Sequence, residues 1–172
     1  MFLKKRTNLK KKIIYIIISL IFIFLTLTFY KGLKKENVFV PSELIGKKIP
    51  EFSSKSLYEE NEISSNQLFI KDKYYLINIW ASWCAPCRKE HSALMKLSGE
   101  KNLSIIGINF KDNKKNAISF LNNEGNPYSK VVTDKKGFVS IDIGSYGIPE
   151  SILIDKNKII ISKFIGPLSF KD

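Results

Sequence analysis

Residues 13 to 30 form an uninterrupted run of eighteen residues without a charge, rich in Ile, Leu and Phe, with Ser19, Thr26 and Thr28 as its small polar interruptions. As a helix rising ~1.5 Å per residue this run is ~27 Å long, close to the ~30 Å hydrocarbon core of a bilayer. It has no polar face, so the outside of a water-soluble core does not suit it. Lys12 and Lys31 can extend their ammonium groups into the headgroups, and Tyr15 and Tyr30 suit the two interfaces. A cleaved secretory signal shares the basic start but has a shorter apolar region and a small-x-small cleavage site. The residues that follow, Phe29-Tyr30-Lys31-Gly32-Leu33-Lys34, have no such site, and the reading is an uncleaved anchor.

The anchor also accounts for most of the charge. The formal net charge is +12, which invites a nucleic-acid reading. Nine Lys/Arg and no acid lie in residues 1 to 35, whereas residues 36 to 172 hold 19 basic against 16 acidic residues, a net of +3. No nucleic-acid partner is expected. The basic excess ahead of the anchor keeps residues 1–12 cytoplasmic, with 13–30 spanning, 31–50 as a tether closed by Pro50, and 51–172 as an exported domain.

Within that domain, residues 74 to 80 are nearly all apolar and rich in β-formers, which predicts a strand buried on both faces. Residues 86 to 98 follow as a helix, with His91, Leu94, Met95 and Leu97 at helical spacing and Gly99 to end it. A second strand is predicted over 103–110, and a second helix over 114–123 with Ala117, Ile118 and Leu121 on one face. Gly125-Asn126-Pro127 stops that helix. Strands over 151–154 and 158–165 are joined by a hairpin-like link at Asp155-Lys156-Asn157. The fold class is α/β, with a mixed sheet that is parallel at first and antiparallel at its edge.

Both cysteines fall in Trp83-Cys84-Ala85-Pro86-Cys87, where the first strand turns into the first helix. Cys84 at the helix N-terminus meets unpaired N–H groups and the positive end of the helix dipole, which favour its thiolate and make it the nucleophile. Cys87, one turn inward, can attack a mixed disulfide and release the reduced partner. Pro86 is tolerated in the first turn, where a missing N–H costs little. A zinc site normally needs four ligands, and the chain offers two Cys and one His. A structural disulfide would close too small a loop to be a useful staple, and copper handling lacks a third ligand. Redox exchange is the reading that fits best, with no metal and no cofactor.

With these elements in place, the chain resembles the membrane-anchored thioredoxin-like proteins, and more narrowly the CcmG/DsbE-type thiol:disulfide interchange proteins of cytochrome c maturation. The resemblance covers about residues 39 to 168. It rests on the block from Asn78 through Trp83-Cys84-Ala85-Pro86-Cys87 to His91, on Gly107-Ile108-Asn109-Phe110-Lys111-Asp112, on Gly125-Asn126-Pro127-Tyr128, and on Gly144-Ser145-Tyr146-Gly147-Ile148-Pro149-Glu150-Ser151. It implies a thioredoxin-like fold in which Pro149 is the cis-proline opposite the cysteines. Ile148, just before it, would offer backbone groups to an extended substrate. Trp83 would flank Cys84 at the surface, with Trp80 in the core and His91 an ordinary helix residue.

Many thioredoxins place a buried Asp where this chain has Asn78, and an amide cannot accept the proton of the second thiol. Glu90 and Glu150 match acidic positions of the narrower family. The expectation is that one of them takes the proton from Cys87 and that the pair shapes an acidic groove. Residues 134 to 146 match an insertion that borders the partner groove. Relatives of this type continue past the equivalent of Gly166-Pro167-Leu168 into a C-terminal helix. This chain stops at Asp172, so either the helix is absent or the sequence is truncated, and apolar side chains of the last strands are expected at the surface.

The resemblance implies a protein-disulfide reductase on a single anchor in the bacterial inner membrane, its domain in the periplasm. The implied partners are apocytochrome c or a cytochrome c maturation chaperone as substrate and a transmembrane thiol reductant as electron donor. Another anchored reductase of the same fold, an envelope oxidant, and a binding or metal-delivery module without turnover are the competing readings.

Overall fold

A long apolar run without Gly or Pro is a strong helix former, and in the computed structural model it lies within one 33-residue helix, α1 (Phe2–Lys34). The structure describes residues 2–34, 44–59, 61–69 and 72–169, so residues 35–43 of the expected tether and 170–172 at the C-terminus lie outside the described residues. Within α1, Lys12–Lys31 is long and apolar enough to cross a membrane, and none of it is buried by protein. Thr26 Oγ1 donates to the carbonyls of Phe22 and Ile23, and Thr28 Oγ1 to those of Phe24 and Leu25, so both hydroxyls are satisfied inside the helix.

The second unit is a seven-stranded sheet. Its elements, in chain order, are β1 (Ser53–Ser56), β2 (Glu62–Ser64), α2 (Ser65–Leu68), β3 (Tyr74–Trp80), α3 (Ala85–Leu97), β4 (Leu103–Phe110), α4 (Lys114–Glu124), β5 (Lys130–Asp134), α5 (Phe138–Asp142), β6 (Glu150–Ile154) and β7 (Ile160–Ile165). The strand order is β2-β1-β5-β4-β3-β6-β7. The three central strands β3, β4 and β5 are parallel, with α3 and α4 as crossovers, and β6 and β7 close one side antiparallel. This is the thioredoxin-like arrangement expected from the sequence.

Three strands were not expected. β5 has two inward valines in five residues, and β1 is Ser-Ser-Lys-Ser, so neither carries an apolar signal of its own. Their pairing comes from the sheet: β1 runs antiparallel to β5, Ser56 opposite Val132, and β2 folds back on β1. The second edge is therefore antiparallel too. Residues 46 to 49, read from the sequence as the end of the tether, already belong to this unit. Gly46 N donates to Ile160 O and Ile49 N to Lys158 O, and Ile49 is buried in the core.

Alternation along β3 sorts the core into two layers. Tyr75, Ile77 and Ile79 face the side of α2 and α5, packing with Leu68, Phe69, Val139 and Ile143. Leu76 and Trp80 face α3 and α4, packing with both cysteines, Leu94, Ala117, Phe120 and Leu121. Asn78 lies between them on that second face. The buried face of α3 is Cys87, Glu90, His91, Ala93 and Leu94, so Glu90 lies inside, whereas Met95, which the apolar spacing placed on that face, is exposed. On α4, Phe120 rather than Ile118 completes the buried stripe. At the far end of the same face, Leu76, Ala93, Leu97, Leu103, Leu153, Phe164 and Leu168 line an open apolar groove, and Ile161 and Ile165 are exposed. The apolar surface expected on the last strands is therefore present.

Candidate active site

Cys84 is the N-cap of α3, in extended conformation, and its Sγ accepts the Cys87 N–H at 3.2 Å. The two cysteines are joined as a disulfide across Cα atoms 5.3 Å apart. Pro86 lies in the first turn of α3, where the helix has no hydrogen bond to lose. Both cysteines are buried, Cys84 at 3% and Cys87 at 4% exposure.

The turn that presents them is fixed by a residue for which the sequence suggested no role. Asp112, just past the end of β4, accepts the Ser82 N–H at 2.6 Å and the Ser82 hydroxyl at 2.9 Å. It also accepts Asn109 Nδ2 at 3.0 Å and the Asn113 N–H at 2.7 Å. From the other side Arg88 donates to the Ser82 carbonyl through Nε and Nη2, at 3.2 and 2.8 Å, while its guanidinium lies over the Phe120 ring. Trp83, next to Cys84 in the chain, is 59% exposed, and its indole N–H donates to Lys111 O at 3.2 Å, so the ring is held at the surface. Trp80 is core, stacked on Tyr128 with ring centroids 5.4 Å apart.

Beneath the cysteines is a buried polar network. Asn78 Nδ2 donates to Glu90 Oε1 at 2.8 Å and to Ser151 Oγ at 3.0 Å, and Asn78 Oδ1 accepts the Tyr128 hydroxyl at 2.8 Å. The Leu168 N–H donates to Glu90 Oε2 at 2.8 Å. Burial pushes the Glu90 carboxyl above its ordinary value, against the Leu168 and Asn78 donors, which favour the charged form. Burial first, and the Glu90 charge second, hold the Tyr128 phenol well above its usual range, so it stays a donor. Tyr128 and Ser151 stood in the family blocks without a role, although the polar Asn78 in an apolar strand was a signal that partners had to exist. Gly107, opposite Asn78 in the β3–β4 register, leaves the room: a Cβ there would lie 2.9 Å from both Trp80 Nε1 and Tyr128 Cγ.

The Ile148-Pro149 bond is cis. Ile148 is half-buried against the cluster that contains both cysteines, and Pro149 O accepts the Gly166 N–H at 2.9 Å. Glu150 is 2% exposed; its carboxylate accepts the Tyr146 N–H and pairs with Lys163 Nζ at 3.2 Å. The expected acidic groove is not formed. Glu90 and Glu150 are both inside the protein, and the second is neutralised by a lysine. His91 is also structural: its Nε2 contacts Gly125 O at 3.1 Å and its ring meets Phe120 edge-on. Among the described residues no group of three or more His, Cys, Asp or Glu could hold a metal ion.

This geometry agrees with what the chain is similar to. The Redoxin family model matches residues 44–172. The thiol:disulfide interchange protein DsbE of Tatumella citrea is 41% identical over 128 residues, covering 74% of this chain and 69% of the relative. DsbE of Haemophilus influenzae is 35% identical over 168 residues, covering 95% of this chain and 91% of the relative. Among solved structures, the thioredoxin domain of a thiol-disulfide oxidoreductase from Bacteroides vulgatus superimposes with a TM-score of 0.60 at 26% identity, over 71% of this chain and 89% of that one.

Proposed function

Because the chain belongs to the redoxin family and is a thiol:disulfide oxidoreductase of the DsbE kind, we propose that it is a membrane-anchored reductase of apocytochrome c. In this reading residues 1–12 stay in the cytoplasm, 13–30 cross the inner membrane and the redox domain works in the periplasm. The observation that carries the chemistry is that Cys84 heads α3 while a buried carboxylate, Glu90, follows one turn beyond Cys87 on the same buried helix face.

In the reduced enzyme the Cys84 thiolate, favoured by the helix N-terminus, attacks one sulfur of a substrate disulfide and expels the other as a thiolate. Cys87 then loses its proton and attacks Sγ of Cys84, forming the Cys84–Cys87 disulfide and releasing the substrate as a dithiol. Two electrons pass to the substrate, and a transmembrane thiol reductant returns the enzyme to the dithiol. Glu90 is the acceptor for the Cys87 proton. Its raised affinity for protons suits that task, whereas Glu150 is committed to Lys163. The substrate edge is supplied by Ile148 and cis-Pro149, with Trp83 beside Cys84. The resemblance to the cytochrome c maturation type supports the oxidised Cys-x-x-Cys-His haem-attachment motif, or a chaperone that carries it, as the substrate.

The test is the equilibrium reduction potential of the full chain in detergent, followed by single-turnover reduction of a Cys-x-x-Cys-His peptide disulfide. A potential near or below roughly −200 mV with peptide reduction supports the reading, and one near about −120 mV reverses the proposed electron flow.

A further inference from the structure

The loop that carries cis-Pro149 is held by one buried cation. Lys163 lies in β7 opposite Ile152 of β6, and its side chain is 3% exposed. Its ammonium has three partners: it pairs with Glu150 Oε2 at 3.2 Å, donates to the Gly144 carbonyl, and lies 4.6 Å from the centroid of the Tyr146 ring. All three belong to residues 144–150. The same loop is closed by Ser145 Oγ donating to Gly147 O and by the Tyr146 N–H on Glu150, so Glu150 and Lys163 form its hub. Taking both charges out of water is costly, and an apolar pair of similar size could fill the space. What an apolar pair could not do is grip a backbone carbonyl, a carboxylate and an aromatic face at once.

We propose that Lys163 is a positioning residue for substrate, its buried ammonium bracketing Gly144, Tyr146 and Glu150 so that the Ile148-Pro149 edge is pre-set to receive an extended disulfide-containing peptide. This rests on the reductase reading above. Lys163 acts only through Glu150, Gly144 and Tyr146 and takes no part in electron or proton transfer. Its removal therefore raises the disorder the loop must lose on binding, which weakens substrate capture and leaves the chemical steps alone.

The test uses the full chain in detergent, pre-reduced, in single-turnover reactions with a Cys-x-x-Cys-His peptide disulfide. K163M is expected to raise the half-saturating peptide concentration roughly tenfold, with the limiting rate and the equilibrium potential within about twofold in rate and in redox equilibrium constant of wild type. K163R, which keeps the charge, is expected to recover most of the loss. If K163M does not fold, the K163M/E150Q double variant removes the stranded carboxylate charge and is expected to show the same split. An unchanged half-saturating concentration, or a fall in limiting rate as large as the rise in that concentration, overturns the inference while leaving the reductase reading intact. A wild-type chain that does not reduce the peptide overturns that reading and this inference with it.

Discussion

The Asn78 amide donates to the Glu90 carboxylate across 2.8 Å, joining the central strand to the helix that carries both cysteines. A strand residue that cannot accept a proton is thus bonded to a helix residue that can. Asn78 is also held by the Tyr128 hydroxyl and by Ser151, so its amide orientation is determined by three partners and keeps its N–H pointed at Glu90. The buried carboxylate beside this strand comes from the helix, and the Asn78 amide holds one of its oxygens.

Removing the carboxylate separates the two steps of exchange. Glu90→Gln is expected to leave the attack of Cys84 on a peptide disulfide nearly unchanged and to slow the attack of Cys87 on the mixed disulfide on the order of a hundredfold. Acid-quenched time courses would show the mixed disulfide accumulating. A mixed-disulfide lifetime equal to that of wild type would remove Glu90 from the mechanism.

The same carboxyl makes stability depend on pH with a definite sign. Its folded pKa is raised above the ordinary 4.5 by burial, so in the window from 4.5 up to the folded value the native state binds more protons than the unfolded chain. The contribution of Glu90 is therefore fully present below that window and declines as pH rises through it. Urea unfolding of oxidised wild type and Glu90→Gln across this range is expected to show a fall in the wild type that the variant lacks. Parallel curves would contradict it.

Two substitutions probe the network from its far side. Tyr128→Phe strands the Asn78 carbonyl oxygen and is expected to cost about 1–3 kcal/mol. Gly107→Ala drives a methyl against Trp80 and Tyr128 and is expected to cost about 1–3 kcal/mol as well. Because both act on the Tyr128 ring, the double variant should fall short of the sum. Thermal melts of the four proteins measure all three values, and strict additivity would mean that the two changes are felt independently.

Asp112 fixes the turn before Cys84 through four donors, two of them from Ser82. Asp112→Ala is expected to lower stability by at least about 2 kcal/mol, since hydrogen bonds to a charged acceptor are lost from a part-buried site. Trp83, anchored on Lys111 O next door, should report the loosened turn as a change in fluorescence anisotropy. A urea midpoint equal to that of wild type would show that Arg88 alone holds the turn.

Local pattern was enough for the strands and helices that bury a strong apolar signal. The membrane-length run, the buried strand before the cysteines, the two crossover helices and the cysteine pair at the head of α3 are all written in consecutive residues, where periodicity of burial and helix-end chemistry act over a few positions. The family blocks pointed to Pro149, Glu90 and Glu150 as parts of the site. β1 and β5 were not legible in the same way, because Ser-Ser-Lys-Ser becomes a strand only when Lys55 and Ser56 find Thr133 and Val132.

Which partners the two glutamates meet was decided only by the tertiary structure. Both are equally acidic in sequence, yet one is buried against an amide and a backbone N–H and the other against a lysine thirteen residues further on, in the next strand. The charge state of a carboxyl depends on the solvent it loses and the partners it gains, and these come from chain segments far apart in sequence. A residue string can name the acids, whereas the packing of β3, α3, β6 and β7 determines which donors each one meets.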